Sequence, residues 1–278
     1  TTRVLGDEVI SRSLSGTACP QAGTEFWFAG TGSKDNRTSW LYLVNPEDAP
    51  ATVDVEMFGD DGPVAVPSTL KGIVLGAHTN DRHLLQVAVE EQERLVVRVM
   101  VRVGRVVAAL HDQQQDGTKP HGADWIPAVT EPATRVLVPS IPGGKGERTL
   151  YLLVPGDEGA LARLKLVGKN GTFSPAPDPK AGALDTIALE GSRIKQVNLG
   201  SVANEEPFGV LIESDRPVVA ALRVGTGDNP PDTAYLAATA PLGGPSIVAD
   251  ARNVGALISK LVLTAPDQAA SVAIVALV

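Results

Sequence analysis

The chain has 278 residues, of which 43% are hydrophobic and 20% charged, and its formal net charge is −8 at pH 7. This hydrophobic content is enough for packed cores, so disorder is excluded. The acidic balance argues against nucleic-acid binding, because phosphate recognition needs a concentrated cationic face. No apolar run reaches the roughly 18 residues that a membrane-spanning helix needs, so no span is expected within these residues.

The first clear strand signals lie in residues 41–58, on either side of a turn rich in Pro and Asp. Apolar and polar residues alternate in the second of these strands, with Val53 and Val55 on one side and Asp54 and Glu56 on the other. A period of two predicts an antiparallel strand with one face buried and one face in water. The dipeptide Asp61-Gly62 then predicts a tight hairpin, because such turns need residues that accept positive φ.

The same pattern returns without a gap in residues 150–171 and begins again at Leu261, so the repeating unit is about 110 residues, the size of one β-sandwich domain. A second block, Val-Val-Ala-Ala-Leu, occurs at 106–110 and at 218–222. We therefore predict an all-β chain of tandem antiparallel β-sandwich domains of immunoglobulin-like size with a partial third repeat. The expected boundaries are 1–115, 116–232 and 233–278. Polar stretches rich in Gly and Pro, 113–122 and 225–232, are interpreted as linkers.

The start of the third copy differs from the other two. In residues 271–278, Val272 and Ile274 are apolar residues at outer-face positions where the earlier copies have mostly polar residues. A strand that is apolar on both faces is expected to be covered on both sides. We expect these residues to complete a sandwich, by packing with the second repeat or with residues 1–16. A partner chain or a further part of the protein is the alternative cover.

Aromatic residues are scarce, so the three tryptophans are candidates for binding or interface roles. Trp40 and Tyr42 are two apart in a strand and should share one face, as in carbohydrate-binding platforms; Trp27 is a further candidate. A core or interdomain role is the competing interpretation. Trp125, together with Asp124, lies between the repeats and is expected to form a wedge between domains, at the place that Tyr235 takes after the second repeat.

The residues suggest no catalytic, metal or cofactor site. His111-Asp112 and His121 with Asp124 imitate part of a hydrolytic triad, but no serine lies in a Gly-x-Ser-x-Gly turn, and the repeat counterpart of His111 is Arg223. His78 and His83 have no third converging ligand. Cys19 is the single cysteine, so no disulfide can form within these residues; the thiol is either free or bonded to a cysteine in a further part of the protein.

The motifs at 45–48, 59–63, 106–110 and 122–127, together with Cys19-Pro20 and the Phe-Trp-Phe segment after it, resemble a family of actinobacterial envelope proteins. That family carries a repeated β-rich domain of unknown function, usually behind an N-terminal membrane anchor. The resemblance implies an extracytoplasmic location with an upstream anchor and gives no activity. We expect a non-catalytic scaffold or protein-interaction module of the cell envelope. A module that binds cell-wall glycan through exposed aromatic residues is the alternative.

Overall fold

The computed structural model describes residues 2–5, 13–17, 20–129, 131–175, 183–200, 206–226, 231–247, 253–254, 257–258 and 260–275. Its regular structure is almost entirely antiparallel β-sheet, which confirms the predicted fold class. An N-terminal hairpin is formed by β1 (Thr2–Leu5) and β2 (Leu14–Thr17). Cys19 lies outside the described residues.

The first sandwich follows this hairpin and contains nine strands in two facing sheets. One sheet has the order β3-β9-β5-β6 with β7 beside β5, and the other has the order β11-β10-β4-β8. A 3-10 turn at Ser68–Leu70 and the one-turn helix α1 at Leu85–Ala88 lie in the connections. The strands are β3 Glu25–Thr31, β4 Arg37–Val44, β5 Ala51–Gly59, β6 Gly62–Val64, β7 Ile73–Leu75, β8 Asn80–Leu84, β9 Leu95–Val103, β10 Val107–Asp116 and β11 Lys119–Ile126.

The second sandwich repeats this strand order. The first part of its long strand β18 lies between β12 and β14, with β15 and β16 beside β14; the second part lies between β13 and β19, with β17 beyond β13. These strands are β12 Ala133–Ile141, β13 Arg148–Leu153, β14 Ala160–Gly168, β15 Gly171–Phe173, β16 Thr186–Leu189, β17 Lys195–Asn198, β18 Phe208–Gly225 and β19 Thr233–Ala237. A short hairpin of β20 (Asn253–Val254) and β21 (Leu257–Ile258) follows.

The strand register places the matched sequence blocks at corresponding positions of the two sandwiches. Leu41 of β4 opposes Leu110 of β10, and Leu150 of β13 opposes Leu222 of β18; all of these side chains are buried. Gly62 and Gly171 have φ of 118° and 119° and close the hairpins β5–β6 and β14–β15. These positive angles are the ones that the Asp-Gly and Asn-Gly turns predict.

The first polar stretch interpreted as a linker is a hairpin, whereas residues 227–230 of the second stretch lie outside the described residues. Residues 113–116 continue β10, and a turn at Gly117, with φ of 57°, leads into β11, so this stretch is a hairpin of the first sandwich that extends beyond the expected boundary at 115. Strand β19 likewise extends the second sandwich past residue 232. Polar composition is common to linkers and hairpin tips, so composition alone did not separate the two structures.

The two sandwiches pack through the outer faces of two sheets. Trp27, Ala29, Phe58 and Val96 of the first sandwich belong to the same buried cluster as Tyr151 of the second. The residues of β3 and β13 are therefore buried on both faces, because another sheet covers their outer side.

The C-terminal segment does not form the expected strand. Residues 260–275 contain no β-strand, and the side chains of Val272 and Ile274 are 51% and 69% exposed; residues 276–278 lie outside the described part. The second sandwich already has both sheets without this segment, so the lost alternation at 271–275 does not mark a strand buried on two sides. No helix among the described residues is long and apolar enough to cross a membrane.

Candidate functional site

The outer face of the sheet β11-β10-β4-β8 carries an aromatic cluster, here called the aromatic face: Trp40, Tyr42, His111 and Trp125. His111 of β10 lies between Trp40 of β4 and Trp125 of β11 in the strand register. The Trp125 ring centroid lies 5.4 Å from that of Tyr42 and 5.1 Å from that of His111. All four residues are half-buried.

A cation lies at the side of the aromatic face. The guanidinium carbon of Arg82, an exposed residue of β8, is 4.9 Å from the ring centroid of Trp40. Burial lowers the pKa of His111, which keeps its imidazole neutral at pH 7. The face therefore offers flat π surfaces, one neutral imidazole and one positive charge, a combination that suits an apolar or carbohydrate surface better than a cationic ligand.

The indole nitrogen of Trp125 has no hydrogen-bond partner within the described part of the chain, although it is buried. Its ring lies against the rings of Tyr42 and His111 of the first sandwich, and the wedge between domains that its position suggests stays a prediction. Buried indole N–H groups usually donate to an acceptor.

Trp27 lies away from the aromatic face and is only 2% exposed. Its ring stacks on Phe58 at 6.0 Å, its Nε1 donates to Glu25 Oε1 at 2.9 Å, and the guanidinium of Arg98 lies 4.8 Å from its centroid. Trp27 is thus an interface residue between the sandwiches and is not accessible to a glycan.

A buried polar cluster, here called the polar junction, joins the two sandwiches behind the aromatic face. Arg37 Nη2 donates to Asp112 Oδ2 at 2.7 Å and to the Gly30 carbonyl at 2.8 Å. The hydroxyl of Tyr235, from β19 of the second sandwich, donates to Asp112 Oδ2 at 2.6 Å. Ser39 Oγ donates to the other carboxylate oxygen at 2.7 Å. Every oxygen of the buried carboxylate is therefore satisfied, as a buried charge requires.

Opposing effects set the charges in the polar junction. Burial alone would lower the pKa of Arg37 and raise that of Asp112. The attraction between the two groups outweighs burial, so the pKa of Arg37 is raised and that of Asp112 is lowered. Burial and the Asp112 charge raise the pKa of Tyr235 well above its usual value. The cluster is thus a buried ion pair bridged by a neutral phenol.

Gln114 extends the polar junction toward the surface. Its Nε2 donates to the Tyr235 hydroxyl at 2.9 Å, and its Oε1 accepts from Arg223 Nη1 at 2.6 Å. Since Gln114 belongs to β10 and both partners belong to the second sandwich, these bonds fix the relative orientation of the two units.

Asp124 connects three separate segments at the edge strand β11. Its carboxylate accepts from the backbone nitrogens of Gly16 and Tyr235, each at 3.4 Å. Burial raises the pKa of Asp124 to about 6, although hydrogen bonds from the backbone at Trp125, Tyr235 and Gly16 act in the opposite direction. Its charge therefore changes close to physiological pH.

The structure separates the residues that imitated a triad. His111 and Asp112 are successive residues of one strand and lie on opposite faces, one on the aromatic face and the other in the polar junction. His78 Nε2 contacts Asp48 Oδ1 at 2.8 Å, in an exposed loop. Within the described residues, no group of three His, Cys, Asp or Glu side chains could hold a metal ion.

Sequence reasoning thus identified Trp40, Tyr42 and Trp125, which the structure brings together, but it missed the polar junction. One signal was present: Tyr235 holds the repeat position of Trp125, and Arg223 that of His111, so the second sandwich replaces two members of the aromatic face by hydrogen-bonding residues. Residues Val272 and Ile274 lie apart from both clusters, in the exposed C-terminal segment.

Comparison with known proteins adds a family and no activity. No curated protein matches the chain. The crystal structure of Thermotoga maritima 1070 is similar at 18% identity, over 40% of this chain and 96% of that chain, with a TM-score of 0.31; a likeness of this size carries no conclusion about function. Residues 5–278 match a family of unknown function, DUF5719, and because the match spans nearly the whole chain, the protein belongs to that family.

Proposed function

We propose that this protein is a non-catalytic interaction module of the actinobacterial cell envelope, held outside the cytoplasmic membrane by an upstream anchor, and that it binds its partner through the aromatic face. The location follows from the resemblance of its turn motifs to envelope proteins. The observation that carries the binding role is the clustering of Trp40, Tyr42, His111 and Trp125 on one half-buried sheet face. Aromatic side chains are enriched at the centres of protein interfaces.

The test is site-specific cross-linking in intact cells. A photoreactive phenylalanine analogue replaces Tyr42 on the aromatic face, and in the matched control it replaces Val87, which is 83% exposed in the helix α1. A discrete adduct from position 42 alone supports the proposal. Equal labelling at both positions would contradict the aromatic face as the binding surface. Protection of the protein from protease added to intact cells would contradict the location outside the membrane.

A cell-wall glycan is the second candidate partner. It is favoured by the arrangement of Trp40, Tyr42 and Trp125 around one face with Arg82 beside Trp40, because sugar C–H groups pack on ring faces. Binding to purified cell-wall polysaccharide that is lost in Trp40→Ala and retained in Phe173→Ala would favour the glycan. Phe173 is a suitable control because it is 51% exposed on the second sandwich.

The non-catalytic role is tested separately. His111 belongs to the aromatic face, Asp124 contacts the backbone of Tyr235 beside the polar junction, and both have shifted pKa values. A substrate screen with the wild-type protein, His111→Ala and Asp124→Asn should show no turnover that depends on either residue. Turnover abolished by one of these substitutions would assign an enzyme instead.

A further inference from the structure

The contact between the two sandwiches provides a template for what covers the aromatic face. In the second sandwich, the outer face of the sheet β19-β18-β13-β17 carries Tyr151, Arg223 and Tyr235, and this face packs on the first sandwich. The first sandwich contributes the outer face of β3, β9 and β5, where Trp27, Phe58 and Val96 lie. Within the chain, the outer face of the sheet β19-β18-β13-β17, here called the receiving face, thus packs on the outer face of β3, β9 and β5, here called the inserting face.

The aromatic face is the first sandwich's version of the receiving face. Tyr42 opposes Ala109 as Tyr151 opposes Ala221, and Trp125 opposes His111 as Tyr235 opposes Arg223. Tyr151 and Tyr235 are buried by the other sandwich, whereas the residues of the aromatic face are only half-buried, and the N-terminal hairpin contacts this sheet at its edge strand β11. The aromatic face thus corresponds to the receiving face of the second sandwich, but no second sandwich covers it in the described part of the chain.

The second sandwich has its own sheet face that corresponds to the inserting face of the first sandwich. Leu137, Val167 and Leu211 hold the strand positions of Trp27, Phe58 and Arg98 and form an apolar patch on this face of β12, β18 and β14, beside the ion pairs of Glu213 with Arg135 and Lys165. Leu211 is only 3% exposed although it points away from the sandwich core. Something therefore covers this second inserting face.

The cover is the C-terminal segment. Ser140 Oγ donates to the Val262 carbonyl at 2.9 Å, Arg135 forms an ion pair with Asp267, and Thr172 Oγ1 donates to the Pro266 carbonyl at 3.4 Å. A Cβ atom on Gly209 would lie 2.9 Å from the Thr264 methyl, so the segment lies directly on the sheet. Residues 262–267 thus cover the inserting face of the second sandwich, just as the second sandwich covers the inserting face of the first.

The two free ends also match in polarity. Within the chain, Asp112 of the inserting side meets Tyr235 of the receiving side. At the free ends, Val224 stands at the position of Asp112, and Trp125 at the position of Tyr235. In a contact between these two free faces, the carboxylate and the phenol are therefore both absent. Such a contact would bury no charge without its partner.

We propose that a second copy of this chain docks head to tail on the aromatic face, through the sheet face of β12, β18 and β14, and that residues 260–275 act as a releasable cap that prevents this self-association. The proposal rests on the aromatic face being a binding surface and names its partner. The contact is heterologous, so it leaves a free face at each end and can extend into a chain of molecules. Only molecules from which the cap is released can bind, so self-association should strengthen as the fraction of such molecules rises.

The test uses the full-length protein with the cap loosened by Ser140→Ala, Thr172→Ala and Asp267→Arg, which remove its polar contacts and place a positive charge beside Arg135. Sedimentation velocity should show a self-association constant about tenfold or more above that of the wild type. Adding Tyr42→Glu on the aromatic face, or Leu137→Glu on the capped face, should abolish the gain. A mixture of these two blocked variants should form a dimer that grows no further, because each variant keeps one intact face.

Growth beyond a dimer in that mixture, or association that Tyr42→Glu leaves unchanged, would show unspecific aggregation and overturn the proposal. A cap-loosened protein that stays folded and monomeric overturns it as well. Circular dichroism and thermal unfolding verify folding of each variant, and deletion of residues 260–278 provides a second way to remove the cap. A specific adduct from position 42 with another protein, without self-association, would reject the second copy while the proposed binding role stands.

Discussion

Tyr235 and Asp112 are 123 residues apart in the chain, yet the phenol of one donates to the carboxylate of the other at 2.6 Å in the junction between the two sandwiches. The same phenol accepts from Arg37 and Gln114. The relative orientation of the sandwiches thus depends on a polar contact at the edge of an apolar interface.

Tyr235→Phe should destabilise the protein by about 1–3 kcal/mol, because the acceptors and donors around the lost hydroxyl stay buried. Urea unfolding at pH 7 measures the loss. Tyr42→Phe is the matched control, since its hydroxyl lies outside the junction, and it should change stability by less than about 0.5 kcal/mol. Equal effects of the two substitutions would contradict the role of the Tyr235 hydroxyl.

Asp112→Asn should cost about 3–5 kcal/mol, because it leaves the buried Arg37 guanidinium without its counter-charge. The folded-state pKa of Asp112 is lowered, so its stabilisation is present above its ordinary pKa of about 3.9 and is lost as the pH falls through the folded value. Glu190→Gln, which breaks an exposed ion pair with Arg193, is the control and should cost less than about 1 kcal/mol.

Asp124 should make stability decrease as the pH rises from about 4 to about 6. The pKa of Asp124 is raised to about 6 in the folded protein, so the native state binds more protons than the unfolded state in this window, and a rising pH then favours unfolding. The free energy of unfolding of Asp124→Asn should lack this component. Parallel pH profiles of the wild type and the variant would disprove the shift.

Gly30→Ala should loosen the contact between the sandwiches. Gly30 has φ of 101°, and an added Cβ would lie 2.7 Å from the ring of Tyr151. Gly62→Ala is a matched control, because its φ of 118° imposes similar backbone strain while no atom lies within 4 Å of the new Cβ. We expect about 1–3 kcal/mol for the control from strain alone. Gly30→Ala should cost more, with increased protease cleavage near the junction.

The sequence was sufficient for features that depend on neighbouring residues. Alternating apolar positions predicted the strands, and the turn dipeptides at Gly62 and Gly171 predicted hairpins that the structure contains. The two-residue spacing of Trp40 and Tyr42 predicted their common face. Each of these inferences needs only the local periodicity of a strand.

Features that depend on how the two units meet were not predictable in this way. Arg37 and Asp112 are 75 residues apart, and nothing near either of them marks an ion pair. Trp27 was a plausible exposed ring because its strand gives no sign that a second sheet covers its outer face. The apolar C-terminal segment was interpreted as a strand from its composition, but it lies across a sheet face without joining it.

Strand β18 runs without interruption from Phe208 to Gly225 and supplies a member to each layer of the second sandwich, whereas Gly104 separates the corresponding strands of the first. One layer of the second sandwich can therefore hardly open while the other stays closed. Amide hydrogen exchange at Leu211 and Ala221 should report a single, shared opening free energy. The amides of Val97 and Ala109, on either side of Gly104, are free to exchange through separate openings.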